Sequence, residues 1–160
     1  MTCRHRFFLK QTLLVFWSIW LTLVCLTNVF EWAKVLGLLG EDWAFASGNY
    51  RFVVETTARY DTPGWLNSVF FAGAICWQGL AAVLFWSTLL RFGGPNNAGR
   101  APLLHAAFTV SLMHWAAFMV ADEVFISYTL EAIHIRLFIA QLTTLLVVEL
   151  LPEKREPAGS

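Results

Sequence analysis

Four apolar runs, each long enough to cross a bilayer, decide what this chain of 160 residues can fold into. A helix rises about 1.5 Å per residue, so roughly 20 apolar residues cross the hydrocarbon layer of about 30 Å. Runs of that length occupy residues 12–32, 66–90, 102–121 and 130–151. Inside hydrocarbon every backbone N–H and C=O must be satisfied by the chain itself, which selects helices for runs like these. We therefore expect an all-α fold, a transmembrane four-helix bundle forming a single integral membrane domain over residues 1–160. Composition points the same way. Hydrophobic residues make up 58 % and charged residues 14 %, against about half and about a quarter in soluble domains. A soluble domain of this size could not hide that much apolar surface, whereas lipid accepts it.

The first run follows Arg4, Arg6 and Lys10, as a signal peptide would begin. Its length suits a span better than a signal-peptide core, and no small-x-small cleavage site follows it, so an uncleaved span is expected. Val24 is too bulky for a lipoprotein box ahead of Cys25. Between the first two runs, residues 33–65 are polar and rich in turn formers, among them Gly37, Gly40, Gly48 and Asp61-Thr62-Pro63-Gly64. Within them Asn49 to Arg59 reads as a short amphipathic helix on the membrane surface, with Trp43 and Trp65 as interface anchors. A connection this long suggests a functional loop or a covering flap. The eight tryptophans suit rings settled at headgroup level. Cys3, Cys25 and Cys76 show no metal or disulfide spacing.

The second span ends at Arg91 and Gly93-Gly94-Pro95-Asn96-Asn97, the third starts with Pro102 in its first turn, and the fourth stops at Pro152 before a polar tail. Basic residues set the orientation. The N-terminal tail, the loop from Arg91 to Arg100 and the Lys154–Arg155 tail share one side, while the corner from Asp122 to Leu130 has no Lys or Arg. Both termini are expected in the cytoplasm, with a long first extracytoplasmic loop and the acidic corner outside.

At about 100° per residue, the polar and small residues of each run share one face. These are Gln11, Ser18, Thr22 and Cys25; Asn67, Ala74, Gln78 and Ala81; Ala107, Ser111, His114 and Ala121; and Glu131, His134 and Gln141. Seams of small and polar residues are how membrane helices pack closely, so these faces should point inward. By depth they separate into two sets. Thr22, Gln78, Ser111, His114 and Gln141 form a candidate midplane layer or ligand contact, and Asn67, Glu123, Glu131 and His134 a candidate outer mouth.

Ionisable groups within spans mark functional sites by default. His114 has three readings: a neutral core histidine bonded to Gln78 or Gln141, a haem b or quinone contact, or a proton relay toward His134 and Glu131. His105 lies about 13 Å from it along the axis and on the opposite face, a poor second haem ligand. Glu131-x-x-His134 puts both side chains on one helix face, but bundle metal centres use that motif twice, and no metal site is expected. Arg136 points away from His134, free to snorkel or to pair with a partner subunit.

From Ala121 to Tyr128 the chain reads Ala-Asp-Glu-Val-Phe-Ile-Ser-Tyr, which resembles a Gly-Gly-Glu-Trp-Phe type signature. That signature belongs to an uncharacterised bacterial family of predicted small four-span integral membrane proteins. Leu26-Thr27-Asn28, the long first loop and Trp77-Gln78 look similar too, while Asp122 and Val124 depart from the pattern. The resemblance implies topology, and no activity.

No GxSxG, HExxH, Walker or GxGxxG motif occurs, which points away from an enzyme. Zero net charge without a basic patch leaves no footprint for nucleic acid. The leading expectation is a non-enzymatic protein of the bacterial inner membrane, with the lipid bilayer and other membrane subunits, or copies of itself, as partners. It would be an accessory or assembly subunit, or a binder of a small apolar ligand. The alternatives are a redox anchor for haem b or quinone and proton-coupled transport through the His114 layer.

Overall fold

The computed structural model describes residues 3–91 and 100–151. The turn at Gly93–Asn97 and the tail from Pro152 lie outside the described residues. Four helices are long and apolar enough to cross a membrane: α1 (Cys3–Val35), α3 (Gly64–Arg91), α4 (Arg100–Phe125) and α5 (Tyr128–Leu150). The short α2 (Asn49–Thr57), followed by a 3-10 turn (Ala58–Tyr60), sits in the long loop where an amphipathic surface helix was expected. Among the described residues there is no strand.

Cross-helix pairs give the directions. Asn28 meets Gln78 while Thr22 meets Trp86, so α1 and α3 are antiparallel. Trp77 meets Val110 while Phe85 meets Phe108, and Asp122 meets His134 while His105 meets Glu149, so α3–α4 and α4–α5 are antiparallel as well. The four spans thus run up and down, and the chain enters and leaves the bundle at the same end. Each helix packs against the next in sequence, but α1 and α5, which would close the ring, barely meet. Among the described residues one hydrogen bond links them, the Trp17 indole N–H donated to Thr144 Oγ1 at 3.1 Å.

Each polar seam faces inward. Ser18, Asn67, Gln78, Ala81, Ala107, Ser111, His114 and Gln141 are buried, and the remaining seam residues are half-buried. The outward faces carry exposed Leu, Val, Ile and Phe, as lipid requires. The apolar core gathers at the end away from the long loop, around Leu14, Leu21, Phe85, Leu104, Phe108 and Val148. Phe85 and Phe108, both fully buried, meet edge to face with centroids 4.9 Å apart, a geometry that adds to packing.

Two helix ends show one motif filled in different ways. After α1, Gly37 N–H donates to Lys34 and Leu38 N–H to Ala33, with Gly37 at φ 71°. This is the Schellman closure, which needs a left-handed residue. After α4 the same pair of bonds runs from Ile126 to Glu123 and from Ser127 to Asp122, but the left-handed position holds Ile126 at φ 56°. A β-branched side chain is strained there. The span expected to stop at 121 therefore continues to Phe125. Asp122 and Glu123 belong to its last turn, and Ile126 and Ser127 alone make the corner.

Candidate functional site

The long loop is a cap pinned to three spanning helices. Asn49 Nδ2 donates to Asn28 Oδ1 and Asn28 Nδ2 donates to Gln78 Oε1, each at 2.8 Å, a chain of amides leading from the cap through α1 into α3. Beside it Glu31 accepts from Gly48 N–H and the Thr27 carbonyl accepts from Ser47 N–H. On α3, Thr57 Oγ1 lies 2.7 Å from Asn67 Oδ1, and Tyr50 reaches Ser68 and stacks edge-on against Phe71. On α4, Tyr60 donates to the Val124 carbonyl at 2.9 Å. Phe30 receives Trp43 and Phe45. A cleft of about 500 Å³, lined by Phe52, Arg59, Phe125, Ile126 and Leu130 among others, separates α2 from the start of α5.

Of the residues assigned to an outer mouth, Asn67 is under the cap with Thr57, His134 is half-buried, Glu131 is half-buried and Glu123 is exposed. His134 Nδ1 bonds Asp122 Oδ2, not Glu123 or Glu131. Asp122 is 4 % exposed. The acidic dipeptide suggests a corner, but one more turn of α4 carries Asp122 back onto the inward face beside Phe118. The imidazole of His134 stacks on Phe118, with centroids 4.7 Å apart and planes at 13°.

The residues assigned to a midplane layer bond to other partners than one another. Thr22 Oγ1 accepts from the Trp86 indole at 2.9 Å, Gln78 accepts from Asn28, and Gln141 Oε1 accepts from the Trp115 indole at 3.0 Å. No hydrogen bond joins His114 to Gln78 or Gln141. Its imidazole is instead walled by Trp77, Trp115 and Phe118, with ring centroids at 5.5, 4.9 and 4.6 Å. Phe118 thus touches both imidazoles, and the direct line between His114 and His134 is aromatic.

Trp17, Trp77, Trp86 and Trp115 each donate to an acceptor on another helix: Thr144, the Val110 carbonyl, Thr22 and Gln141. Trp17, Trp77 and Trp115 clamp the bundle from within and Trp86 ties α3 to α1 from its exposed side, while Trp43 and Trp65 are exposed at the cap end as expected of anchors. The signal was available: an indole N–H far from either end of a span needs an acceptor inside the protein.

Three buried polar atoms at the level of His114 have no partner among the described residues: Ser111 Oγ, His114 Nε2 and Gln141 Nε2. An orphaned buried polar group costs about 1–3 kcal/mol. Cys25 and Cys76 are free thiols, and no group of three or more His, Cys, Asp or Glu comes together among the described residues. No protein-family model, curated protein or solved structure matches the chain.

Proposed function

We propose that the chain is a non-enzymatic accessory or assembly subunit of a larger complex in the bacterial inner membrane. Both termini would lie in the cytoplasm, the cap outside, and the outward face of α5 against the partner. The observation that carries this reading is Arg136. It stands about 12 Å below the outer start of α5, exposed on the least buried of the four spans, with no acidic partner among the described residues. A guanidinium facing hydrocarbon is costly, about 2.5–3.5 kcal/mol at mid-span on insertion scales. A carboxylate or carbonyl on a neighbouring helix removes that cost. Ala132, Ala140 and Thr143 are exposed on the same side, and small residues let another helix approach closely.

Extraction in a mild detergent followed by native electrophoresis and mass spectrometry tests this. Wild-type protein should migrate with other membrane proteins, and Arg136→Leu should release the 18.1 kDa chain alone. Wild type that already runs as a lone chain, or an Arg136→Leu complex as intact as wild type, overturns the proposal.

A further inference from the structure

Beyond a docking role, we infer that Ser111, His114 and Gln141 form a binding site for the planar, carbonyl-bearing head of a membrane-dissolved molecule of the quinone class. The three residues are 0, 2 and 0 % exposed. Measured from the Ile126–Ser127 corner that joins the antiparallel α4 and α5, they lie within about 5 Å of one another in depth. They occupy one level of the bundle, and each offers an unpaired polar atom there.

The hydrogen-bonding sense of the site is readable. An indole N–H can only donate, so the Trp115 bond fixes the Gln141 oxygen toward the indole and leaves Nε2 with protons to give. Mid-helix hydroxyls in this chain turn back to the carbonyl four residues earlier: Ser18 to Leu14, Thr88 to Leu84 and Thr144 to Ala140, each at 2.8 Å. Ser111 makes no such bond. Its hydroxyl and the Gln141 amide are therefore donors without acceptors, and His114 Nε2 can donate or accept according to tautomer. Carbonyl oxygens on a flat ring complement that set, and Trp77, Trp115 and Phe118 supply ring faces and edges around it.

The seam between α1 and α5 gives a route from lipid. It is closed by the Trp17–Thr144 bond and by Trp20 against Trp17 and Trp115. Thr144 is one turn from Gln141 on the same helix, and Trp115 is the residue that holds Gln141. Displacing Trp20 would expose Trp115 and then the polar atoms.

The test is a titration of the full-length chain in detergent with a short-tailed benzoquinone, followed by tryptophan fluorescence. Wild type should quench to a saturating level. Gln141→Leu should weaken binding by about tenfold or more, and Ser111→Ala, which removes a single oxygen, should weaken it measurably. Glu149→Gln, remote from the site, should match wild type. Quenching that rises linearly without saturation overturns the inference. So does saturable binding of equal affinity in Ser111→Ala and Gln141→Leu, which would put the ligand elsewhere and leave the polar atoms to hold water alone. If Gln141→Leu does not fold, Ser111→Ala decides. The outcome is independent of partner retention, which is read from Arg136→Leu.

Discussion

The Asp122–His134 pair is a sharp place to perturb the cap end of the bundle. Its two side chains are 5 % and 17 % exposed and come from facing helices on either side of the two-residue corner. Asp122→Leu removes the acceptor and strands the imidazole N–H. Taking one partner from a fully buried pair costs about 3–5 kcal/mol. Interhelical hydrogen bonds within membranes average only about 0.6 kcal/mol and reach about 1.7, because the dissociated helices find other partners. His134 is open enough to recover some solvation, so a loss of about 2 kcal/mol follows for Asp122→Leu, between those limits. Asp122→Asn keeps an acceptor of the same shape and should lose about 1 kcal/mol or less. His134→Phe keeps the stack on Phe118 while deleting both ring nitrogens, so in the Asp122→Leu background it should restore stability. The coupling energy should be at least about 1 kcal/mol in the double-mutant cycle. Reversible unfolding in mixed micelles with a rising fraction of ionic detergent, read by tryptophan fluorescence, measures all five proteins. Additive effects, or an Asp122→Leu protein as stable as wild type, would refute the reasoning.

Ile126→Gly should stabilise the protein. Relief of a left-handed residue returns about 1–2 kcal/mol, less about 0.5–1 for the freer unfolded glycine, and the same unfolding assay would expose a loss instead. Asn28→Leu removes the middle amide of the chain from Asn49 to Gln78 and strands the buried Gln78 amide oxygen as well as the half-buried Asn49, at about 1–3 kcal/mol. Limited proteolysis within residues 36–63 should speed up accordingly, and an unchanged cleavage rate would count against a pinned cap. Trp115→Phe and Trp86→Phe delete equivalent indole bonds, but Gln141 is fully buried whereas Trp86 is exposed. Trp115→Phe should therefore cost about 1–3 kcal/mol and Trp86→Phe less than about 1, and equal costs would contradict that ranking.

The helices, the inward seams and the amphipathic cap helix were legible in the chain because each rests on periodicity, and periodicity is local. Pairing was less legible. Which acceptor a buried donor finds depends on helix register: Gln141 could have met His114 and meets Trp115, and Gln78 meets Asn28 at the far end of another helix. Asp122 was missed for a different reason. An Asp-Glu dipeptide before an unpaired stretch reads as a polar corner, and the closure that extends α4 by one more turn uses Ile126 where a glycine would have signalled it. Residue type alone places tryptophan at the headgroup level, although Trp17, Trp77 and Trp115 sit well inside their helices.

The reach of the cap has a mechanical consequence. Its hydrogen bonds run to α1, α3 and α4, and among the described residues none runs to α5. Three spans are laced together across one end like the legs of a stool under its seat. The fourth hangs from a two-residue corner and is steadied by Asp122, Trp115, Trp17 and, at the end away from the cap, the exposed His105–Glu149 pair. Relative motion in such a frame falls to α5, as a swing about Ile126–Ser127 resisted by its packing on α4. Arg136 on its outer side and Gln141 on its inner side would travel together along that arc.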